Sequence, residues 1–461
     1  MTYVRDTISA LSTPVGDSAI SIVRLSGDRS FAIASKVFKP KNEFNWERIL
    51  HYELRYGWVM DPINKEIVDE VLVMIMPAPG SYTREDIVEI SCHGGYMAAR
   101  KVLEILIENG ARIAEPGEFT KRAFLNGRID ITEAEAVAEV IRAKTERAFY
   151  FASRNLAGVL KDEIDEIEKE LLDIYAEEEA AVDFSDEDID TVSREEVLKS
   201  LNEIGDRIGK VIYDSEGGKV FVEGINTVIA GKPNVGKSSL LNRLVREEKA
   251  IVTEIPGTTR DLIEETINVR GIPLKIMDTA GIRKSRHLVE KIGVEKSIKA
   301  LNEADIVLFI IDVSDRIDER DVEIAQMVRD KNFILVANKV DLVDGFDGEE
   351  IKRITGAETC ISISAKTGFN IELLEQEIVR KATGGKLPDS MRFYANKRQR
   401  ELLKRAMGHV KGAVESLKNG LSEEFISMDV KSAYDAVIEI RGKREDKELY
   451  DEIFSKFCIG K

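Results

Sequence analysis

Cysteine is scarce in this chain: three in 461 residues, Cys92, Cys360 and Cys458, odd in number and far apart. That excludes a disulfide framework and points to a reducing compartment, so a cytoplasmic location is expected. Histidine is nearly as rare, and the four that occur are scattered, so no metal-ligand cluster can be read with the cysteines. Long apolar runs are missing too. No stretch approaches the ~18 residues needed to cross a bilayer, so no membrane partner is expected. Met1-Thr2-Tyr3-Val4-Arg5-Asp6 opens no signal peptide. A general basic surface is also absent, because the net charge is −17. Tight nonspecific binding to a polyanion is therefore disfavoured, although a local basic patch can still serve.

What is present is the 43% hydrophobic, 33% charged balance of a soluble globular protein. A single core stops growing near ~250–300 residues, so a chain of 461 should hold more than one domain. Acidic residues concentrate between Asp162-Glu163 and Asp186-Glu187-Asp188. Basic ones gather at Arg392, Lys397, Arg398, Arg400, Lys404 and Arg405, and again at Arg441, Lys443 and Arg444. Such runs are commonly no more than solvated faces.

The most informative segment is Gly231-Lys232-Pro233-Asn234-Val235-Gly236-Lys237-Ser238, between the apolar Val228-Ile229-Ala230 and the helix-like Ser239-Leu240-Leu241-Asn242. Strand, G-x-x-x-x-G-K-S, helix is the context of a phosphate-binding loop. Its backbone N–H groups and helix start face the phosphates, Lys237 reaches the outer ones and Ser238 offers a hydroxyl to Mg²⁺. Asn338-Lys339-Val340-Asp341 follows the strand-like Phe333-Ile334-Leu335-Val336-Ala337. There Asp341 can accept from the ring N–H and exocyclic amine of guanine, whereas adenine would leave it unpaired. Ser364-Ala365-Lys366 follows Cys360-Ile361-Ser362-Ile363 and would close over the base. Asp278-Thr279-Ala280-Gly281 follows Leu274-Lys275-Ile276-Met277, with Asp278 placed for Mg²⁺ and Gly281 for the γ-phosphate. In this order, each behind an apolar strand, the pieces read as a GTP-binding domain of the Ras-like, translation-factor-related type.

Hydrolysis needs a water-orienting group, and the position after Gly281 holds Ile282, which cannot hold a water. Arg283, Glu290 and Glu295 lie downstream as candidates. Asn234, inside the loop, admits two readings. It is either a polar residue tolerated in a turn, or the ligand of a monovalent cation, with carbonyls from Thr253-Glu254-Ile255-Pro256-Gly257-Thr258-Thr259 completing the shell.

Four sections are expected: 1–125 with mixed strands and helices, 126–220 helical, 221–382 the GTPase, and 383–461 helical again. Val71–Ile75 and Asp86–Cys92 read as strands, and Tyr96–Asn109 as a helix stopped by Gly110. Thr132-Glu133-Ala134-Glu135 reads as a capping box opening a long helical tract that passes Leu156 and Leu160 to Tyr175. Gly217-Gly218 and Gly384-Gly385 mark the way into and out of the GTPase section, so the GTPase is inserted into a helical domain whose halves pack together. Near the end, Phe457 and Ile459 read as apolar anchors flanking Cys458, with Gly460 allowing close approach. Taken alone, that cysteine is more readily an incidental buried or frayed chain-end residue.

Several further stretches carry a specific likeness: Asp6-Thr7-Ile8 with Thr13-Pro14, Ile22-Val23-Arg24-Leu25-Ser26-Gly27, Ser81-Tyr82-Thr83 with Glu85-Asp86, and His93-Gly94-Gly95. Pro116-Gly117-Glu118-Phe119, Arg122-Ala123-Phe124-Leu125-Asn126 and Cys458-Ile459-Gly460-Lys461 complete the set. Over its full length the chain resembles the MnmE (TrmE) family of bacterial tRNA-modification GTPases. The resemblance implies a multidomain α+β and α/β fold, with an N-terminal α/β folate-binding and dimerisation domain, a helical domain and an inserted Ras-like P-loop GTPase. It implies a homodimer in which Arg24, Glu89, Arg128 and Lys461 line a site for a tetrahydrofolate derivative (5-formyl- or 5,10-methylene-), a one-carbon donor. A lysine can occur at the position of Arg128 in relatives. GTP contacts are implied for Asn234, Val235, Gly236, Lys237, Ser238, Ser239, Thr253, Thr258, Thr259, Asp278, Thr279, Ala280, Gly281, Asn338, Lys339, Asp341, Ser364, Ala365 and Lys366. Ser238 and Thr259 match the Mg²⁺ ligands, and Asn234, Thr253, Ile255 and Thr258 those of an activating K⁺. Glu290 matches the water-orienting acid and Cys458 a catalytic thiol, with Lys237 assisting at the phosphates. With the flavoprotein MnmG (GidA), in a heterotetramer or larger assembly, the family installs an aminomethyl-type group (carboxymethylaminomethyl) on carbon 5 of the wobble uridine of certain tRNAs. The alternatives are a ribosome-assembly GTPase, which typically carries an appended RNA-binding domain, and a non-enzymatic nucleotide switch. Turnover in potassium against sodium discriminates them.

Overall fold

The computed structural model describes residues 6–183, 193–247, 265–277, 299–385, 392–443 and 447–461. These fall into two compact units, one of 6–138 with 438–461, the other of the described residues between 139 and 437.

The first unit is built on a seven-stranded sheet in the order β3-β4-β5-β6-β2-β1-β7. Its strands are β1 (Ile8–Leu11), β2 (Ile20–Ser26), β3 (Phe38–Pro40), β4 (Glu53–Met60), β5 (Ile67–Met76), β6 (Ile87–His93) and β7 (Arg112–Ile113). All pairs are antiparallel except β1 with β7. The period-two alternation of β5 and β6 puts Val73, Ile75, Val88 and Ile90 on the face covered by α1 (Ser30–Val37) and α2 (Tyr96–Glu108). Both strands and α2 lie where the residue pattern predicts, and Gly110 follows α2 with φ +112°. The opposite face leaves Leu54, Tyr56, Leu72 and Met74 exposed. After α3 (Glu118–Leu125), α4 (Ile131–Arg142) begins one residue earlier than the expected cap. Asp130, not Thr132, closes the box: its Oδ1 accepts from Glu133 N at 3.0 Å, and Glu133 Oε2 accepts from Asp130 N at 3.0 Å. Asp130 is the better acceptor, and Thr132 donates to it.

The second unit holds a six-stranded sheet in the order β13-β12-β11-β8-β10-β9. Its strands are β8 (Ile225–Ala230), β9 (Glu265–Val269), β10 (Ile272–Ile276), β11 (Ile306–Asp312), β12 (Phe333–Asn338) and β13 (Cys360–Ile363), parallel except for β9. Continuous apolar runs such as Ile306–Ile311 are those of strands buried on both faces. The helical tract is not one helix. Beyond α4 it breaks at Thr145, which caps α5 (Glu146–Leu156), and at Gly158 (φ +89°), which precedes α6 (Val159–Asp183).

The expected hinge at Gly217-Gly218 is overturned. Helix α7 (Arg194–Val222) runs straight through both glycines, and Phe221 on its last turn is buried in the GTPase core with Ile225 and Leu274. That burial outweighs the ~1 kcal/mol each glycine costs a helix. The chain turns instead at Gly224, φ +73°, where a Cβ would lie 2.4 Å from Pro273 O. On its return past Gly384-Gly385 it is held by Tyr394, whose hydroxyl donates to Glu223 Oε1 at 2.5 Å. Arg400, at the start of the helix Lys397–Lys418, donates to Glu223 Oε1 and to Tyr394 OH, each at 3.0 Å. Arg400 is thus withdrawn from the basic patch, and Lys404 is paired with Glu216 at 2.7 Å.

Candidate functional site

Strand β8 delivers the chain to the loop 231–236, and α8 (Lys237–Glu247) leaves it. Gly231 sits at φ +147°, and a Cβ there would meet Ile310 O of β11 at 2.4 Å. Gly236 sits at φ +103°, and a Cβ there would be 2.2 Å from Asn338 Nδ2. Both positions therefore need glycine for close approach as well as for conformation. Lys237 Nζ donates to the carbonyls of Gly231 at 2.7 Å and Lys232 at 2.6 Å. Burial pushes the Lys237 ammonium below its ordinary pKa, so an anion beside it would be welcomed. Ser238 and Ser239 are exposed at the helix start. Asn234 is exposed and left-handed, φ +65°, a conformation asparagine tolerates, so its backbone agrees with the turn reading.

Asn338 ends β12, and its side chain joins two loops. Nδ2 donates to Val235 O at 2.7 Å, and Oδ1 accepts from Ala365 N at 3.0 Å. Lys339, φ +68°, pairs with Asp312 at 2.5 Å. Burial opposes ionisation of Asp312, yet hydrogen bonds from Lys339 and Ser314 hold it below the usual carboxylate range. Asp341 lies exposed on the turn Val340–Leu342, beside a cavity of about 460 Å³ that Ser364 and Phe369 also line. Arg243 of α8 donates to Ala365 O at 3.3 Å and Lys366 O at 2.7 Å, holding the loop 364–366 to the helix that follows the glycine-rich loop. Neither Asp312 nor Arg243 stands in a recognisable motif. Only Asp312's place at a strand's C-terminal edge could have flagged it. Thr253, Ile255, Thr258, Thr259, Asp278, Thr279, Ala280, Gly281, Ile282, Arg283, Glu290 and Glu295 lie outside the described residues.

The first unit gathers the other candidates. Arg24 and Glu89 face each other across β2 and β6 and pair at 2.7 Å. The tail reaches them. Gly460 O accepts from Arg24 Nη1 and Ser12 Oγ, each at 3.3 Å, and Gly117 N donates to Cys458 O at 3.3 Å. Phe119 N donates to Lys461 O at 3.2 Å. Lys461 is lowered in pKa by burial and then by Arg24. The Tyr82 ring lies 4.6 Å from the Arg128 guanidinium and 5.8 Å from that of Arg24, so a residue not singled out for the site joins two of the candidates, while Glu89 and the tail meet Arg24 directly. An arginine, a carboxylate and an aromatic ring suit a ligand with an anionic tail and a heteroaromatic ring. Phe457 is buried with Phe454 and Tyr450, as expected of an anchor. Ile459 is not an anchor: it is 57% exposed, and buried Gly460 takes that role because its carbonyl, not a side chain, is gripped. Cys458 is exposed.

The chain matches the model of the MnmE helical domain over residues 131–458, and that of the GTP-binding protein TrmE N-terminus over residues 7–128. The chain belongs to the MnmE family. The tRNA modification GTPase MnmE of Thermoanaerobacter sp. (strain X514) is 46% identical, over 99% of this chain and 100% of that protein. Its namesake from Desulforamulus reducens is 43% identical over 99% of each. Among solved structures, an Era variant of Aquifex aeolicus bound to GDP and AlF4⁻ is similar to 40% of this chain, covering 66% of its own, at 29% identity and a TM-score of 0.28. The family accounts for both an N-terminal sheet unit and a nucleotide loop in one chain, and makes this MnmE-family protein a GTP hydrolase of tRNA modification.

Proposed function

We propose that this protein is a potassium-activated GTPase that works with the flavoprotein MnmG (GidA), as a heterotetramer or larger, to build the carboxymethylaminomethyl group on carbon 5 of the wobble uridine of certain tRNAs. A tetrahydrofolate derivative supplies the one-carbon unit. The observation that carries the nucleotide half is Asn338, whose amide ties the phosphate loop to the 364–366 loop, beside an exposed Asp341. In this reading Lys237 holds the outer phosphates, Ser238 and Thr259 hold Mg²⁺, and Asp341 with Ser364–Lys366 reads guanine. Asn234, Thr253, Ile255 and Thr258 hold K⁺, which spreads developing charge, and Glu290 orients the water that Ile282 cannot. The folate half is supported by Arg24, which pairs with Glu89, grips the tail at Gly460 beside Lys461, and shares the Tyr82 ring with Arg128. Binding there would put the donor beside the exposed Cys458 thiol. The domain division 1–125, 126–220, 221–382 and 383–461 belongs to the same reading; the turn at Gly224 after α7 and the glycines Gly384-Gly385 support a break near each end of the GTPase section.

The test is GTP hydrolysis in K⁺ against Na⁺ buffer. We expect stimulation by K⁺ alone, its loss in Asn234→Ala with GTP affinity nearly intact, and a fall in kcat of about 10²-fold or more for that variant. Glu290→Ala should slow turnover with GTP binding kept. Equal rates in the two salts for the unmutated protein would sink the potassium reading.

A further inference from the structure

The side chain of Lys232, second residue of the phosphate loop, has no part in the reading above, yet only 9% of the residue is exposed. Its ammonium lies 2.7 Å from Asp321 Oδ2 and 3.2 Å from Asp318 Oδ2. Both carboxylates belong to the start of α9 (Glu319–Val328), the helix after β11. Asp318 Oδ1 accepts from the N–H groups of Arg320 and Asp321, and Asp321 Oδ2 accepts from Asp318 N at 3.1 Å. That capping box is complete without Lys232. What the lysine adds is attachment of the phosphate loop to the helix.

The same residue is used twice. Its carbonyl, with that of Gly231, accepts the Lys237 ammonium. Ammonium and carbonyl belong to the same residue, and Pro233 after it restricts the backbone of Lys232, so holding Nζ limits where that carbonyl can point. Strand β11 ends in Asp312, which pairs with Lys339. The end of β11 and the start of α9 are thus tied to two loops of the candidate site.

We propose that Lys232 is a positioning residue of the phosphate loop: its ion pair with Asp321 fixes the two carbonyls that aim Lys237, and so sets the affinity for the phosphates of a guanine nucleotide. The inference rests on the reading of this loop as the GTP site. The competing explanation is that Lys232 merely neutralises Asp321, which is 1% exposed and costly to leave unpaired. The two separate cleanly.

The experiment uses the full chain with Mg²⁺ and a fluorescent N-methylanthraniloyl GDP, reading affinity and release rate beside thermal unfolding. Lys232→Met should weaken binding about tenfold, chiefly through faster release. In steady-state hydrolysis the loss should fall on KM more than on kcat. Lys232→Arg, keeping the charge, should restore affinity to within about threefold. The double variant Lys232→Met with Asp321→Asn leaves no lone buried charge. It should recover the thermal midpoint and still bind GDP about tenfold more weakly. A double variant that binds as tightly as the unmutated chain overturns the proposal and leaves the GTP site standing. An unmutated chain that binds no GDP overturns the GTP reading, and this proposal with it.

Discussion

At the scale of single residues, Gly460 bears on function more than its small size suggests. Its φ is +96°, and a Cβ would lie 2.3 Å from Leu11 O, so any side chain must push the tail off β1. The same glycine presents its carbonyl to Arg24. Gly460→Ala is expected to weaken binding of 5-formyltetrahydrofolate by about tenfold or more while lowering the stability of the unit by only ~1–3 kcal/mol. Calorimetric titration checks this, and an unchanged Kd would place the folate elsewhere. For Cys458 the outcome should invert. Serine barely changes the volume and the site is exposed, so folding and folate binding should persist. A serine hydroxyl ionises far less readily than a thiol, so modification of the wobble uridine should be abolished. Mass spectrometry of digested tRNA decides it: as much product as the unmutated protein makes would demote Cys458 to a structural residue.

At the scale of elements, α6 carries a group that ties its stability to pH. Glu178 is 6% exposed, and its carboxyl is pushed up to about 7 by burial first and by Glu423 second. A raised carboxyl binds a proton in the folded state that the unfolded chain has lost. Stability is therefore full below the ordinary pKa of 4.5 and declines as pH rises towards about 7, levelling above it. The size is on the order of 2 kcal/mol once water's access is allowed for. Glu178→Gln should remove this decline and make the variant more stable than the unmutated chain at pH ~8, with little difference near pH ~5. Thermal unfolding at the two values measures it, and parallel curves for both proteins would refute it. The helices also show why local signals mislead. Asp130 displaced Thr132 as a cap because a carboxylate accepts more strongly, and α7 crossed two glycines because Phe221 gains a buried place.

At the scale of the whole molecule, the open face of the first unit's sheet matters most. Leu54 pairs with Met74, Met74 with Glu89, and Glu89 with Arg24, so one cross-strand row runs from exposed apolar side chains to the candidate folate pocket. Tyr56 and Leu72 extend it. An exposed apolar stripe of this kind fits a second copy of the chain, as the homodimer reading requires. Leu54→Glu with Met74→Glu is expected to halve the mass in light scattering and to weaken folate binding, while monomeric GTP affinity is kept. A double variant that remains dimeric would move the interface to another surface.

The sequence by itself determined the nucleotide. The loop 231–238, the turn 338–341 and the loop 364–366 each follow an apolar strand, and nucleotide contacts of this kind are made by backbone and short motifs whose spacing is local. It also determined the family, through stretches scattered from Asp6 to Lys461. Only the tertiary structure decided which side chains serve those motifs from afar. Arg243, Asp312 and the Asp318–Asp321 cap contact the candidate nucleotide loops from other elements, and Tyr82 links Arg128 to Arg24, which meets the tail 436 positions away. Such contacts follow from how strands and helices pack, and packing depends on the whole chain. The same reason made Ile459 a false anchor and Gly460 a true one: hydrophobicity is legible in a sequence, whereas the backbone space that only glycine can occupy is set by the neighbours it meets.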